Sequence, residues 1–182
     1  MLSQVAAAPV VAAVVLAVAM ANAPYAAAVG AAPCIRGESE SRADSSVDEG
    51  EIRWTEATKY DDARKYATGE WNKLRTVSIA PDAANTVNDL EFREYRKADG
   101  HPGYWQRRGG VAATDYIYLN TYYLDGDYKD ARFRRNVVVH ELGHALGLCH
   151  KADTVNSVMQ TEISLTTVPT AVDRANYRKI WG

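Results

Sequence analysis

Residues 140–150 read His-Glu-Leu-Gly-His-Ala-Leu-Gly-Leu-Cys-His. On a helix, side chains four residues apart lie on the same face, one turn apart, so His140 and His144 can present two imidazoles to one metal ion. Gly147 follows where a left-handed residue can end a helix and redirect the chain, which allows His150 to return as a third ligand. Three neutral histidines leave the fourth tetrahedral position of a zinc ion open, as in catalytic rather than structural zinc sites.

Glu141 follows the first of these histidines and supplies the second part of the chemistry. From that position a carboxylate can reach a water molecule on the metal without binding the metal itself. Zinc lowers the pKa of its bound water towards neutrality and polarises a peptide carbonyl. Glu141 would act as general base, taking up the proton and passing it to the leaving amine. The stretch therefore predicts peptide-bond hydrolysis at one zinc ion, with His140, His144 and His150 as ligands and Glu141 as the catalytic residue.

The helix that carries the motif also has an apolar face. Val138, Leu142 and Ala145 recur at the spacing of a buried helix face, so we expect the histidines to point away from the core. Two other interpretations are a helix with solvent-exposed histidines and a purely structural metal site. A structural site needs neither Glu141 nor a glycine turn, which favours the catalytic interpretation.

The elements around the motif predict an α+β fold. Alternating or extended patterns predict five strands and helical spacing predicts two main helices. The strands are expected at 51–55, 76–80, around 90–92, from 104 to 112 and over 116–123, and the helices over 61–74 and from about 130. This order predicts a twisted mixed sheet backed by helices.

Length and charge exclude several classes of protein. The chain has 182 residues, with 21 Lys and Arg against 23 Asp and Glu, which fits one domain of moderate size. A near-neutral balance argues against a nucleic-acid or anionic-membrane binder, which would carry a basic excess. The aromatic and aliphatic content after residue 50 argues against disorder.

The first 33 residues contain no Asp, Glu, Lys or Arg. A short apolar run that ends in small residues is typical of a secretory signal peptide, and we expect it to span residues 1–28, with cleavage after Ala26-Ala27-Ala28. The alternative is an uncleaved membrane anchor, because about 17 apolar residues is the lower limit for a span. Either way the folded body faces outward, and we expect a secreted protein without membrane contact once the leader is removed.

The composition divides the remaining chain into two parts. Residues 29–49 are rich in Ser, Glu and Asp in their second half and are expected to form a flexible segment, followed by a catalytic domain over 50–182. Asp125, Asp127 and Asp130 could supply oxygen ligands to calcium, although a turn followed by the acidic start of a helix explains them equally well. His101 lies in a Pro and Gly turn and is expected on the surface.

The motif at 140–150 resembles the metzincin signature His-Glu-x-x-His-x-x-Gly-x-x-His of zinc metalloproteases. Metzincins also carry a methionine turn, and Ser157-Val158-Met159-Gln160 is similar to it. In that class the methionine lies beneath the zinc ligands without binding the metal. Residues 170–182 resemble the last helix of matrixin catalytic domains, with Thr170 as N-cap and Asp173 in the first turn.

This resemblance implies a zincin-like fold with a C-terminal helix and a matrixin-like zinc endopeptidase. The size resembles that of the snapalysins, which use Asp as third ligand, whereas His150 favours the matrixin branch. With four His in the chain, a second, structural zinc ion is not expected. By element order, Gly109–Ala113 corresponds to the metzincin edge strand, where an extended substrate would pair.

Cys34 and Cys149 are the two cysteines of the chain. In an exported protein they most simply form one disulfide. Two unpaired thiols are one alternative. The other, suggested by matrixin zymogens, is a cysteine switch in which the Cys34 thiolate takes the open zinc position.

The sequence thus predicts a secreted, monomeric zinc endopeptidase that acts on proteins or peptides and binds no nucleic acid. The rival hypotheses are a non-catalytic zinc-binding module on a metzincin-like fold and a surface or inhibitor-like protein with structural zinc. Glu141 argues against both, because binding alone has no use for a general base.

Overall fold

A computed structural model describes residues 30–109, 113–126, 130–162 and 164–182. The predicted leader at 1–28, Asp127 and residues 110–112 therefore lie outside the described residues. Within these ranges, no helix is both long and apolar enough to cross a membrane.

Five strands form one mixed sheet, as the sequence predicts. Their spatial order is β2-β1-β3-β5-β4, with parallel pairing throughout except between β4 and β5, which run antiparallel. The strands are β1 Glu51–Ala57, β2 Ser78–Pro81, β3 Leu90–Tyr95, β4 Gly103–Gln106 and β5 Asp115–Asn120. The fold is therefore α+β, and β4 is an antiparallel strand at one edge of the sheet.

In the described part of the chain, four helices accompany the sheet. They are α1 Asp61–Asn72, α2 Thr121–Leu124, α3 Ala131–Ala145 and α4 Ala171–Trp181. The Asp130 side chain accepts a hydrogen bond from Arg132 N at 2.9 Å and caps α3, which confirms the predicted start of this helix. Thr170 and Asp173 form a reciprocal capping box at the start of α4.

Helix α1 holds α3 against the sheet. Ala63, Ala67 and Trp71 recur at four-residue spacing and are buried, so one face of α1 is apolar. The indole N–H of Trp71 donates to the Val139 carbonyl of α3 at 2.9 Å. The predicted apolar face of α3 is buried as well, and the core is completed by Ile52, Leu90, Phe92, Ile117, Leu119, Val138, Leu142, Ala145 and Met159, each fully buried.

The alternating stretch 116–123 is shorter as a strand than its pattern predicts. Strand β5 ends at Asn120, and residues 121–124 form the short helix α2. The Asn120 side chain accepts a hydrogen bond from Tyr122 N at 3.1 Å and caps this helix. A local side-chain-to-backbone bond thus competes with the sheet and ends the strand.

Among the described residues, the edge strand next to the motif helix is β4, and the edge strand expected at Gly109–Ala113 from element order stays a prediction. Gly109 adopts a positive φ of 64° outside any strand, and residues 110–112 lie outside the described residues. Gly103 of β4 lies so close to α3 that a Cβ atom would stand 2.8 Å from Val137 Cγ1. A glycine at this point allows the edge of the sheet to approach the helix that carries the motif.

The segment at 34–49, which composition predicts to be flexible, runs along the C-terminal end of α3. Ser41 N donates to the Gly147 carbonyl at 3.1 Å and Ser46 N donates to the Ala145 carbonyl at 2.8 Å. The Ser46 hydroxyl also donates to Asp115 of β5 at 2.8 Å. The short polar side chains that suggest a solvated stretch here bond the segment to the helix end and the sheet.

A disulfide between Cys34 and Cys149 joins residues 115 positions apart. It confirms the simplest prediction for the two cysteines. Both alternatives, free thiols and a Cys34 thiolate directed at the metal, are wrong for this structure, since no described cysteine is free.

Candidate metal centre and active site

The three histidines of the motif converge on one point. The Nε2 atom of His140 lies 3.1 Å from Nε2 of His144 and 3.3 Å from Nε2 of His150, and the latter two are 3.1 Å apart. Ligand atoms 2.0–2.1 Å from a tetrahedral zinc ion are about 3.3 Å apart. The spacing therefore fits three ligands of one ion.

The two helical histidines each have the other ring nitrogen fixed by a backbone carbonyl. His140 Nδ1 lies 2.9 Å from the Val158 oxygen and His144 Nδ1 lies 2.9 Å from the Leu148 oxygen. A carbonyl only accepts, so Nδ1 carries the proton in both rings. Each neutral ring then directs an unprotonated Nε2 lone pair at the shared point, as metal binding requires.

His150 has a different partner. Its Nδ1 lies 2.9 Å from Oε1 of Glu38, and its backbone N–H donates to Oε2 of the same side chain at 2.8 Å. The carboxylate also holds the proton on Nδ1, which leaves Nε2 of this third ring free for a metal.

Burial keeps the helical histidines uncharged. Desolvation lowers the pKa of His140 to about 4 and that of His144 well below its ordinary value. Both rings are therefore neutral at physiological pH. Neutral imidazoles are the form that binds metal, and the nitrogen donor set suits zinc.

Gly147 ends the helix as the sequence predicts. It has a φ of 80°, and the turn is a Schellman motif in which Gly147 N bonds the His144 carbonyl at 2.8 Å and Leu148 N bonds the Gly143 carbonyl at 3.0 Å. This turn places the Leu148 carbonyl against His144 and brings His150 back to the helix.

We expect Gly147→Ala to lower the free energy of unfolding by about 2–3 kcal/mol, because a left-handed conformation strains residues with a Cβ atom. The new methyl group would also stand 2.3 Å from the Ser41 carbonyl oxygen.

Urea unfolding checks this, with Gly69→Ala as matched control. Gly69 lies in α1 with nothing near its Cβ position, so alanine there should stabilise by about 0.5–1 kcal/mol. Equal stabilities of the two variants would contradict the expectation.

The methionine turn lies beneath the histidines. Met159 is fully buried, and a Cβ atom on Gly143 of α3 would stand 2.3 Å from its sulfur. Asp173 of α4 fixes the turn, because its carboxylate accepts hydrogen bonds from the Ser157 hydroxyl and, at 2.9 Å, from Val158 N. Since the Val158 carbonyl orients one imidazole, the start of the last helix supports the metal centre.

Glu141 is buried beside the three imidazoles. Its Oε2 accepts a hydrogen bond from Trp105 N of the edge strand β4 at 2.9 Å. Burial raises the pKa of this carboxyl group to about 8, and the Trp105 hydrogen bond opposes that rise. The carboxylate is thus held between α3 and the sheet edge, facing the same cleft as the histidines.

Two depressions meet at this point. One is bordered by the three histidines, Glu141, β4 and residues 38–44 of the N-terminal segment. The other lies between α3 and the segment after the methionine turn, and includes Asn136, Val137, Thr161 and Ser164. The two depressions share His140, Glu141 and His150, so both border the histidine cluster.

The remaining residues singled out in the sequence lie elsewhere or have other partners. Asp125 pairs with Lys59 Nζ at 2.5 Å and Tyr60 OH at 2.8 Å, and Asp130 caps α3. These contacts give both a structural role, and the third acid, Asp127, lies outside the described residues. His101 is exposed, as its turn predicts, and borders both depressions.

Sequence reasoning missed two contributions to the site. One is the Trp105 N–H, which contacts Glu141. The sequence from Tyr104 onward predicts an extended segment, but nothing in it indicates that this segment lies next to α3. Glu38 contacts His150 across 112 residues, and it belongs to a run of acids and serines with nothing local to distinguish it from its neighbours.

Comparisons with known proteins include one distant sequence relative and one weak structural similarity. Matrix metalloproteinase-C of Caenorhabditis elegans is 29% identical over 130 residues, which are 63% of this chain and 22% of that protein. The chain thus spans about a fifth of that relative. A chain of the GM1 bound form of the ECX AB5 holotoxin has a TM-score of 0.45 and 14% identity, covering 72% of this chain and 71% of that one. This structural similarity is too weak to support a conclusion about fold or function.

The sequence model of the matrixin family matches residues 37–181. The match includes the histidine motif, the methionine turn and the last helix, as well as most of the segment before β1. The sheet and helices agree with the matrixin fold. This chain belongs to the matrixin family of metallopeptidases.

Proposed function

We propose that this chain is a secreted zinc-dependent endopeptidase, with His140, His144 and His150 as ligands of one zinc ion and Glu141 as general base. One observation carries the proposal. Three Nε2 atoms lie within 3.1–3.3 Å of one another, and the buried carboxylate of Glu141, which accepts the Trp105 N–H, borders the same depression. The matrixin family supplies the reaction class.

Zinc held by these imidazoles would act as a Lewis acid towards the peptide carbonyl and would acidify water. The chain itself supplies the base, Glu141, whose ionised form burial disfavours and a zinc ion held by the neighbouring histidines would favour. The Trp105 N–H holds one oxygen of Glu141, so the other oxygen takes the proton from the attacking water and delivers it to the leaving amine nitrogen. Because the carboxylate is fixed from both α3 and β4, little reorganisation accompanies this transfer.

The edge strand β4 supports an extended peptide as substrate. One side of β4 pairs with β5, while the Trp105 N–H points to the other side, towards Glu141. A peptide that lies along this free edge can add as a further strand. We therefore assign to β4 the pairing with an extended substrate that the order of the elements predicted for Gly109–Ala113.

Export to an oxidising compartment is part of the proposal. The apolar leader over 1–28 suggests it, and the disulfide between Cys34 and Cys149 agrees with it, because such bonds persist outside the reducing cytosol.

The test combines metal content with hydrolysis by the purified chain. We expect one zinc ion per chain and cleavage of casein or a peptide library, abolished by a chelator and restored by added zinc. Tight one-to-one zinc binding without any hydrolysis would instead identify a non-catalytic binding module. If the parent protein retains full hydrolysis after zinc is removed, the proposal is wrong.

A further inference from the structure

The third histidine differs from the other two in what holds it. His140 and His144 lie on α3, and backbone carbonyls orient both rings. His150 follows the Gly147 turn, outside any helix. Its ring is oriented by a side chain, that of Glu38, from a distant part of the chain.

Both carboxylate oxygens of Glu38 accept hydrogen bonds from one residue, His150. Oε1 accepts from His150 Nδ1 at 2.9 Å and Oε2 accepts from His150 N at 2.8 Å. These two bonds fix the ring and the backbone of His150 together. A carboxylate can accept both hydrogen bonds, whereas an amide of the same size must present a donor group to one of the two donors.

The segment that carries Glu38 is itself fixed to His150. Ile35 N donates to the His150 carbonyl at 3.1 Å, and Glu38 N donates to the Ile35 carbonyl at 3.2 Å. Gly37 provides the left-handed residue of this turn, with a φ of 93°. The disulfide joins Cys34 to Cys149, which immediately precedes His150. We call residues 34–38 the N-terminal clasp.

We propose that Glu38 is a positioning residue of the metal centre, which fixes the tautomer and orientation of His150 so that its Nε2 meets those of His140 and His144. The inference rests on the proposed function and extends it to the N-terminal clasp. A carboxylate behind a ligating imidazole increases the electron density that the ring donates to a metal. Nδ1 of His150 meets a carboxylate, whereas Nδ1 of His140 and of His144 meets a backbone carbonyl.

The test measures zinc affinity of the full chain by competition with a chromophoric chelator at fixed pH. Glu38→Gln is expected to weaken zinc binding about 10- to 100-fold, the usual effect of losing a partner of a ligating histidine. Glu49→Gln is the matched control, since it removes an exposed carboxylate from the same segment. Its zinc affinity should stay within about twofold of the parent, because removal of an exposed charge distant from the ion is largely screened.

Cobalt substitution separates positioning from a general loss of stability. The visible absorption of cobalt reports the arrangement of its ligands, so Glu38→Gln should change this spectrum and Glu49→Gln should not. Glu38→Asp keeps the charge but shortens the side chain, and, like Glu38→Gln, it should weaken zinc binding. If the glutamine variant does not fold, the aspartate variant decides the test.

Parent-like zinc affinity and cobalt spectrum in the folded Glu38 variant overturn this inference. That result is distinct from failure of the proposed function. In the latter case the parent chain itself binds no zinc or hydrolyses no peptide, whatever residue stands at position 38.

Discussion

Glu141→Gln is expected to lower kcat for peptide hydrolysis by about a thousandfold or more, because it removes the proposed general base. The structure makes this a clean change. Glutamine has nearly the same shape, and its carbonyl oxygen can still accept the Trp105 N–H that now bonds Oε2. The three proposed zinc ligands are untouched, so zinc content should stay at that of the parent. Steady-state kinetics with a saturating peptide, together with metal analysis of the same sample, measure both quantities.

Thermal unfolding of the metal-free proteins distinguishes lost chemistry from lost structure. Burial raises the pKa of Glu141 to about 8, so stability is lost as the pH rises from the ordinary carboxyl range through that value, and the loss is complete above it. The neutral glutamine avoids this cost, and the variant should unfold no more readily than the parent at pH 9. Glu70→Gln in α1, which removes a carboxylate paired with Lys73 at the surface, should leave kcat within about twofold, as surface pairs contribute little. Undiminished kcat in Glu141→Gln would falsify the assigned mechanism.

Removal of the disulfide is expected to give the largest loss of stability. The double substitution Cys34→Ala and Cys149→Ala should lower the free energy of unfolding by about 3–5 kcal/mol, because a cross-link that closes a loop of this length restricts the unfolded chain strongly. The two cysteines are 115 positions apart, so most of the domain lies within the loop. That loss is a large part of the total stability of an ordinary domain, about 5–15 kcal/mol. Urea unfolding of the zinc-free proteins measures it.

Reduction provides the control for the disulfide experiment. Cys149 is buried, so its replacement also removes some packing. In the presence of a strong reductant the parent loses its cross-link too, and the difference between parent and variant should nearly disappear. A difference that persists at full size under reduction would assign the effect to packing rather than to the covalent link.

The metal centre was predictable because its key residues are close in sequence. The four-residue spacing of His140 and His144 needs only helical geometry, and Gly147 marks the turn that returns His150. These relations hold whatever the rest of the chain does. The burial of Val138, Leu142 and Ala145 on the opposite face follows from the same periodicity.

What the sequence could not show depends on contacts between distant segments. Glu38 resembles its acidic neighbours until the chain folds, and only the tertiary structure places it beside His150. Strand β4 has four residues, too few for a clear alternation, and it becomes recognisable through pairing with β5. The alternation of apolar and polar residues also predicted a strand that continues beyond the true end of β5. The pattern does not indicate that Asn120 caps α2 and so ends the strand.

The dependence of the methionine turn on Asp173 has a consequence for biosynthesis. Val158 orients one imidazole, and Asp173 holds Val158 from the first turn of α4. A nascent polypeptide can therefore complete the ligand geometry only after this helix has left the ribosome and docked. The proposed peptidase activity should therefore be acquired late in synthesis.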